Sequence, residues 1–159
     1  MTADATTRGA TQDPARDATD VAFREITDDD VEQVVALWAE CGLTRPWNDP
    51  YVDIADARRT PTSTVLVGVE GDRVVSSALA GHDGHRGWLY YVAVSPGRQR
   101  GGLGRATVEA AEAWLREAGA RKVQLMVRAT NAQVVGFYDR LGYADQETVV
   151  LGKWFDGSR

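Results

Sequence analysis

Residues 92–105 read Val92-Ala93-Val94-Ser95-Pro96-Gly97-Arg98-Gln99-Arg100-Gly101-Gly102-Leu103-Gly104-Arg105. An apolar strand runs into a turn carrying four glycines, and the turn runs into the start of a helix. Glycine lets a backbone approach an anion closely, and the first amides of a helix present the favourable end of its dipole. Arg98, Arg100 and Arg105 stand here with no acid among them, a local +3 in a chain of net charge −5. The combination predicts a compact polyphosphate-binding site. The bland alternative is a glycine-rich strand-to-helix turn with solvated arginines; four glycines and three arginines together favour binding.

Elimination narrows the polyphosphate. A Walker A loop needs Lys followed by Ser or Thr after its last glycine; Gly97 and Gly102 have the spacing, but Leu103-Gly104 follow. A dinucleotide fingerprint needs a third glycine where Thr107 stands, and an acid about 20 residues on, where Lys122 and Gln124 stand. Hairpin signals before the loop also oppose a doubly wound sheet. Val65–Val69 and Val74–Gly81 read as strands joined at Glu70-Gly71-Asp72-Arg73, and His82-Asp83-Gly84-His85 turns the chain into a strand at Trp88–Val94.

Outward from this centre, Val21–Glu25 reads as a strand. Thr27 caps a helix that opens on Asp28, Asp29 and Asp30, acids suited to the helix dipole. Val31, Val34, Val35 and Trp38 form its apolar face, with Gly42 as the stop. Asp49-Pro50 starts a second helix running to about Arg59. A third carries Leu103, Ala106, Ala110, Trp114 and Leu115 up to Gly119. Lys122–Val127 is a strand, Asn131 or Thr130 caps a helix with Val134, Phe137, Tyr138 and Leu141 on one face, and Thr148–Leu151 is a closing strand. Trp38 and Trp114, on apolar helix faces, are expected in the core. The pattern is an α/β (α+β) domain, an antiparallel meander with helical crossovers.

Composition bounds the class. The 159 residues suit one domain burying roughly 70% of its unfolded surface. Residues 1–20, without an aromatic and rich in Thr, Asp and Ala, read as a disordered tail, leaving 21–159 as the domain. The one cysteine, Cys41, and the two histidines, His82 and His85, offer neither a disulfide framework nor metal-ligand spacing, so no metal is expected. No apolar run approaches a membrane span, and the acidic balance opposes nucleic-acid binding; a cytoplasmic protein is expected.

Gln99-Arg100-Gly101-Gly102-Leu103-Gly104 resembles the Gln/Arg-x-x-Gly-x-Gly/Ala pyrophosphate loop of the GNAT N-acetyltransferase superfamily, and Asn131 through Phe137-Tyr138 to Leu141-Gly142-Tyr143 resembles its second signature. The resemblance covers about residues 21–154. It implies a mixed, mostly antiparallel twisted sheet of six to seven strands, about four helices and a splayed central parallel pair. It further implies acetyl-CoA as co-substrate, with the backbone of Val92, Ala93 and Val94 pairing with pantetheine and the amides of Gln99, Arg100, Gly101, Gly102, Leu103, Gly104 and Arg105 cradling the pyrophosphate. Asn131 would bond the pantetheine arm, and Tyr138 would protonate the departing thiolate. An ordinary tyrosine (~10) and thiol (~8.5) differ by about 1.5 units, roughly 2 kcal/mol. On periodicity alone, Tyr138 reads rather as a core aromatic on the helix face with Val134 and Leu141; the surrounding motif reverses that preference.

The reaction expected is direct transfer to a primary amine on a small molecule or protein, with a non-catalytic acyl-CoA-binding sensor or regulatory module as the alternative. A homodimer is compatible with the fold. The acceptor side is thinly marked: Trp47, Asp49, Asp83 and Tyr90 are the candidates, with His82, His85 and Tyr91 as further candidates for the base. Strand alternation allows only one of Tyr90 and Tyr91 to line a cleft. Asp53 and Asp56 suit a cationic acceptor or a solvated helix face, and Cys41 suits packing.

Overall fold

The structure, a computed structural model, describes residues 20–157. The tail expected at 1–20 therefore lies outside the described residues apart from Asp20. Chain contacts divide the molecule into two compact units, described separately, with the boundary after Met126.

The first unit holds β1 (Ala22–Glu25), α1 (Val31–Glu40), α2 (Pro50–Arg59), β2 (Ser63–Glu70), β3 (Arg73–His82), β4 (Gly87–Val94), α3 (Leu103–Glu117) and β5 (Val123–Leu125). Its strands lie in sequence order; the first three pairings are antiparallel, and β4 with β5 is parallel. The second unit contains α4 (Ala132–Asp139).

Both faces of the sheet are covered, which explains why β2 is buried along Thr64–Val69 rather than alternating. Val65, Val67 and Val69 pack with Val34, Leu37, Trp38, Ile54 and Ala57 of α1 and α2, while Val75 packs with Leu103 of α3. β3 runs between these layers and uses small residues that carry hydroxyls. Trp38 Nε1 donates to Ser77 Oγ (2.9 Å), and Thr107 Oγ1 shares a hydrogen bond with Ser76 Oγ (2.8 Å). One serine thus ties each helical layer to the same strand, and every buried side-chain polar atom among the described residues has a partner.

Local signals place the helix starts. Asp49 Oδ1 accepts from Tyr51 N (2.9 Å) ahead of Pro50, and Thr27 precedes a single 3₁₀ turn, Asp28–Asp30, that leads into α1. Asp30 does more than complement a dipole. It is buried, accepts from the Thr27 amide (2.8 Å) and hydroxyl (2.8 Å), and forms a two-pronged ion pair with Arg24 of β1 at 2.6 and 3.0 Å. The Arg24 guanidinium holds its carboxyl down at about 2.

Four expectations change. The sheet has five strands among the described residues, where six to seven were expected. The run Thr148–Leu151 forms no strand, with Val149 85% and Leu151 90% exposed. An alternating run supplies a face, but a strand exists only where a neighbour supplies its hydrogen bonds. β5 shortens to three residues for the same reason, since its ladder covers only Gly87–Leu89 of β4. Finally, Trp114 sits half-buried at the edge of α3, where its indole N–H donates to Glu25 Oε1 (2.6 Å), whereas Trp38 is fully buried.

Candidate active site

β4 carries the first part of the site. Its parallel ladder with β5 stops at Leu89↔Leu125, so Tyr90–Val94 run on with no partner from β5. On its other side, Ser77 pairs with Ala93 and Leu79 with Tyr90, so β4 holds one extra residue, a β-bulge. Tyr91 lies in it at φ +50°, an uncommon conformation for an aromatic residue.

The strand then passes through Ser95 and a single 3₁₀ turn, Pro96–Arg98, to α3. Gly102 caps α3 at φ +82°, where a side chain would be strained, and offers no side-chain oxygen to the helix. Ala106 N is the first amide to close back, onto the Gly102 carbonyl (3.1 Å). The amides of Leu103, Gly104 and Arg105 precede it and have no intrahelical acceptor. No acid lies in this first turn, so the donor set fits an anion.

The three arginines are not equivalent. Arg98 folds back to Glu70, Nη1 to Oε1 at 2.6 Å, with both side chains largely shielded. Arg100 is exposed at φ +68°, and Arg105 is exposed with a loose contact to Glu109 (3.7 Å). The local +3 is thereby reduced to the charges of Arg100 and Arg105. Gln99 Nε2 donates to the Val94 carbonyl (3.2 Å) and fastens the loop to the strand end.

Asn131 and Tyr138 belong to the second unit. Asn131 Oδ1 accepts from Val134 N (3.3 Å) as the cap of α4, which leaves its NH₂ group to donate elsewhere. Tyr138 is buried between edge-on rings of Phe137 (5.0 Å) and Tyr143 (5.3 Å), and burial pushes its phenol up to about 12.

The first unit also holds a shallow, open cleft of about 380 Å³ lined in part by Asn48, Asp53, Asp56, Tyr90 and Tyr91. Both tyrosines face it, contrary to strict alternation, because the bulge inserts a residue between the two registers. Of Trp47, Asp49, Asp83 and Tyr90, only Tyr90 lines this cleft, together with Tyr91, Asp53 and Asp56. Asp49 is the α2 cap, and Trp47 is 57% exposed outside the lining. Asp83 accepts from the amides of Arg86 (2.7 Å) and His85 (2.8 Å) and from Trp88 Nε1 (3.0 Å), which holds it down at about 2. Its lone pairs serve the turn, while the His82 amide donates to the Thr62 carbonyl (2.8 Å) and extends the pairing of β3 with β2. Cys41 is half-buried, its thiol against the Val94 carbonyl (3.4 Å) and pushed up by burial.

The profile of the acetyltransferase (GNAT) family matches residues 24–143. The chain belongs to the GNAT acetyltransferase family. An acetyltransferase of Yersinia pestis (strain Pestoides F) is 39% identical over 131 residues, covering 82% of this chain and 93% of its own. One from Pectobacterium atrosepticum is 38% identical over the same shares. Among solved structures, an aminoglycoside N-acetyltransferase in complex with CoA superposes with TM-score 0.74 at 14% identity, over 85% of this chain and 95% of that one. A transcriptional regulator from Bacillus halodurans C-125 does so with TM-score 0.72 at 20% identity, over 84% and 99%. At these identities the superpositions show the GNAT fold.

Sequence reasoning missed Asn48 and the joint use of Tyr90 and Tyr91. Neither the bulge nor the approach of α2 to β4 has a local signal.

Proposed function

We propose that this acetyltransferase moves the acetyl group of acetyl-CoA to a primary amine by direct transfer in a ternary complex. The observation that carries the reading is the continuity of an unpaired β4 edge with the open first turn of α3. An extended pantetheine arm pairs with backbone at Val92, Ala93 and Val94 like an added strand. A pyrophosphate meets the amides from Gln99 to Arg105, with Arg100 and Arg105 adding charge. The Asn131 NH₂ donates to the pantetheine arm.

In this reading the neutral amine attacks the thioester carbonyl carbon. The N–C bond forms, the C–S bond breaks, the nitrogen releases its proton to water, the thiolate takes one from Tyr138, and the tyrosinate regains a proton from water. A β4 amide stabilises the oxyanion. Burial keeps the phenol protonated at neutral pH, but it widens the gap to an ordinary thiol to about 3.5 units, roughly 5 kcal/mol, in place of about 2. Protonation of the thiolate therefore leans on a raised thiol pKa or on rapid product loss. A finer likeness, to the bacterial acetyltransferase YpeA, rests on Leu37-Trp38, on residues 45–50 and 81–87, and on Leu151-Gly152-Lys153.

Thermal shifts with acetyl-CoA, CoA and ATP test the binding claim; stabilisation by ATP alone would sink it. Release of CoA thiol over an amine panel separates an enzyme from an acyl-CoA sensor.

A further inference from the structure

The cavity against α2 has a lining that selects among amines. Asp53 and Asp56, three residues apart, present carboxylates from one side of α2, and Tyr90 and Tyr91 present rings from β4. The Tyr91 hydroxyl donates to Asp53 Oδ2 (2.6 Å), and Asn48 Nδ2 donates to the Tyr91 oxygen (3.3 Å), so this carboxylate is held in place. Asp56 is paired with Arg59, whereas no Lys or Arg pairs with Asp53 among the described residues. Asp53 is half-buried, its side-chain hydrogen-bond partner is the Tyr91 hydroxyl, and it lines a cleft whose volume falls within the ~300–1,000 Å³ range of small-molecule sites.

The reacting nitrogen of an acceptor must be neutral to attack. A carboxylate in contact with an ammonium stabilises the charged form and suppresses attack. Asp53 is therefore suited to a charge on the acceptor other than the reacting one, and the Tyr90 ring lining the same cleft suits that group through cation–π attraction, one face of Tyr91 being taken by Trp38.

We propose that this cavity binds a second ammonium of the acceptor, so that the acceptor class is a diamine or longer polyamine rather than a monoamine. This rests on the amine-acetylating reading above only for the fate of the first nitrogen; the binding itself does not depend on it.

The test compares 1,4-diaminobutane with 1-aminobutane by calorimetric titration into the full chain with CoA present, at neutral pH. The diamine is expected to bind at least tenfold more tightly, Asp53→Asn to abolish that preference, and Asp53→Glu to restore part of it, with CoA affinity unchanged. Equal affinity of the two amines for the unsubstituted protein overturns the proposal, as does a preference that survives Asp53→Asn. Thiol release is followed in parallel. Asp53-dependent diamine binding without CoA release supports the cavity assignment while removing the transfer reaction.

Discussion

Tyr91 reaches from a bulge in β4 to Asp53 on α2, hydroxyl to Oδ2 at 2.6 Å, while its ring stacks on Trp38 of α1 at 4.0 Å and 8°. One side chain thus joins both helices of one layer to the central strand. Burial, with the carboxylate beside it, keeps the phenol raised and protonated, so it donates. The left-handed backbone at φ +50° is held by contacts at both ends of the side chain.

Tyr91→Phe keeps the stack and removes the hydrogen bond. A loss of about 1–2 kcal/mol in urea denaturation is expected for a bond to a charged acceptor. No loss of stability would show that the bond contributes nothing and that the ring alone holds the bulge.

Arg98 and Arg100 are expected to separate stability from binding. Because Arg98 is engaged by Glu70, Arg98→Ala should lower the melting temperature and leave CoA affinity within about threefold. Arg100→Ala, at an exposed position, should do the reverse: weaker CoA binding, more so at low salt, with the melting temperature unchanged. Equal effects of both on calorimetric CoA affinity would contradict the division.

Tyr138→Phe should leave acetyl-CoA affinity intact and lower kcat by roughly 10²-fold, the lower end for loss of a general acid. With the phenol pushed up to about 12, kcat should show no decline from its ionisation as pH is raised to about 10. Steady-state kinetics across pH check both; an unchanged kcat removes Tyr138 from the chemistry.

Asp30 carries a pH-dependent share of stability. Its folded value, about 2, lies below the ordinary carboxylate value, so its stabilisation is complete above about pH 5 and is lost as pH falls toward 2. Asp30→Asn should destabilise the protein by about 2 kcal/mol at pH 7, and the difference should shrink below about pH 4. Denaturant midpoints measured at pH 7, 4 and 3 follow the closing gap.

Features written within one turn of chain were legible beforehand. Asp49-Pro50 and Asn131 mark helix starts because a cap and its amide lie two or three residues apart. Gly102 and the acid-free first turn of α3 are equally local. Asp30 was legible only as a helix-start acid, because its partner Arg24 lies six residues back on another element. Arg98 read as a free cation for the same reason, its partner Glu70 standing 28 residues away.

The sequence by itself determined the order of helices and strands as far as α4, the glycine turn before α3 and the family, since these rest on periodicity, capping and motif spacing that neighbouring residues decide. Only the tertiary structure decided how many strands pair, where the β4–β5 ladder stops, and that Tyr90 and Tyr91 share one cavity with Asn48 and Asp53. Those depend on hydrogen bonds between segments roughly forty residues apart, as from Tyr91 to Asp53, and a single inserted residue in β4 reverses which face a side chain takes.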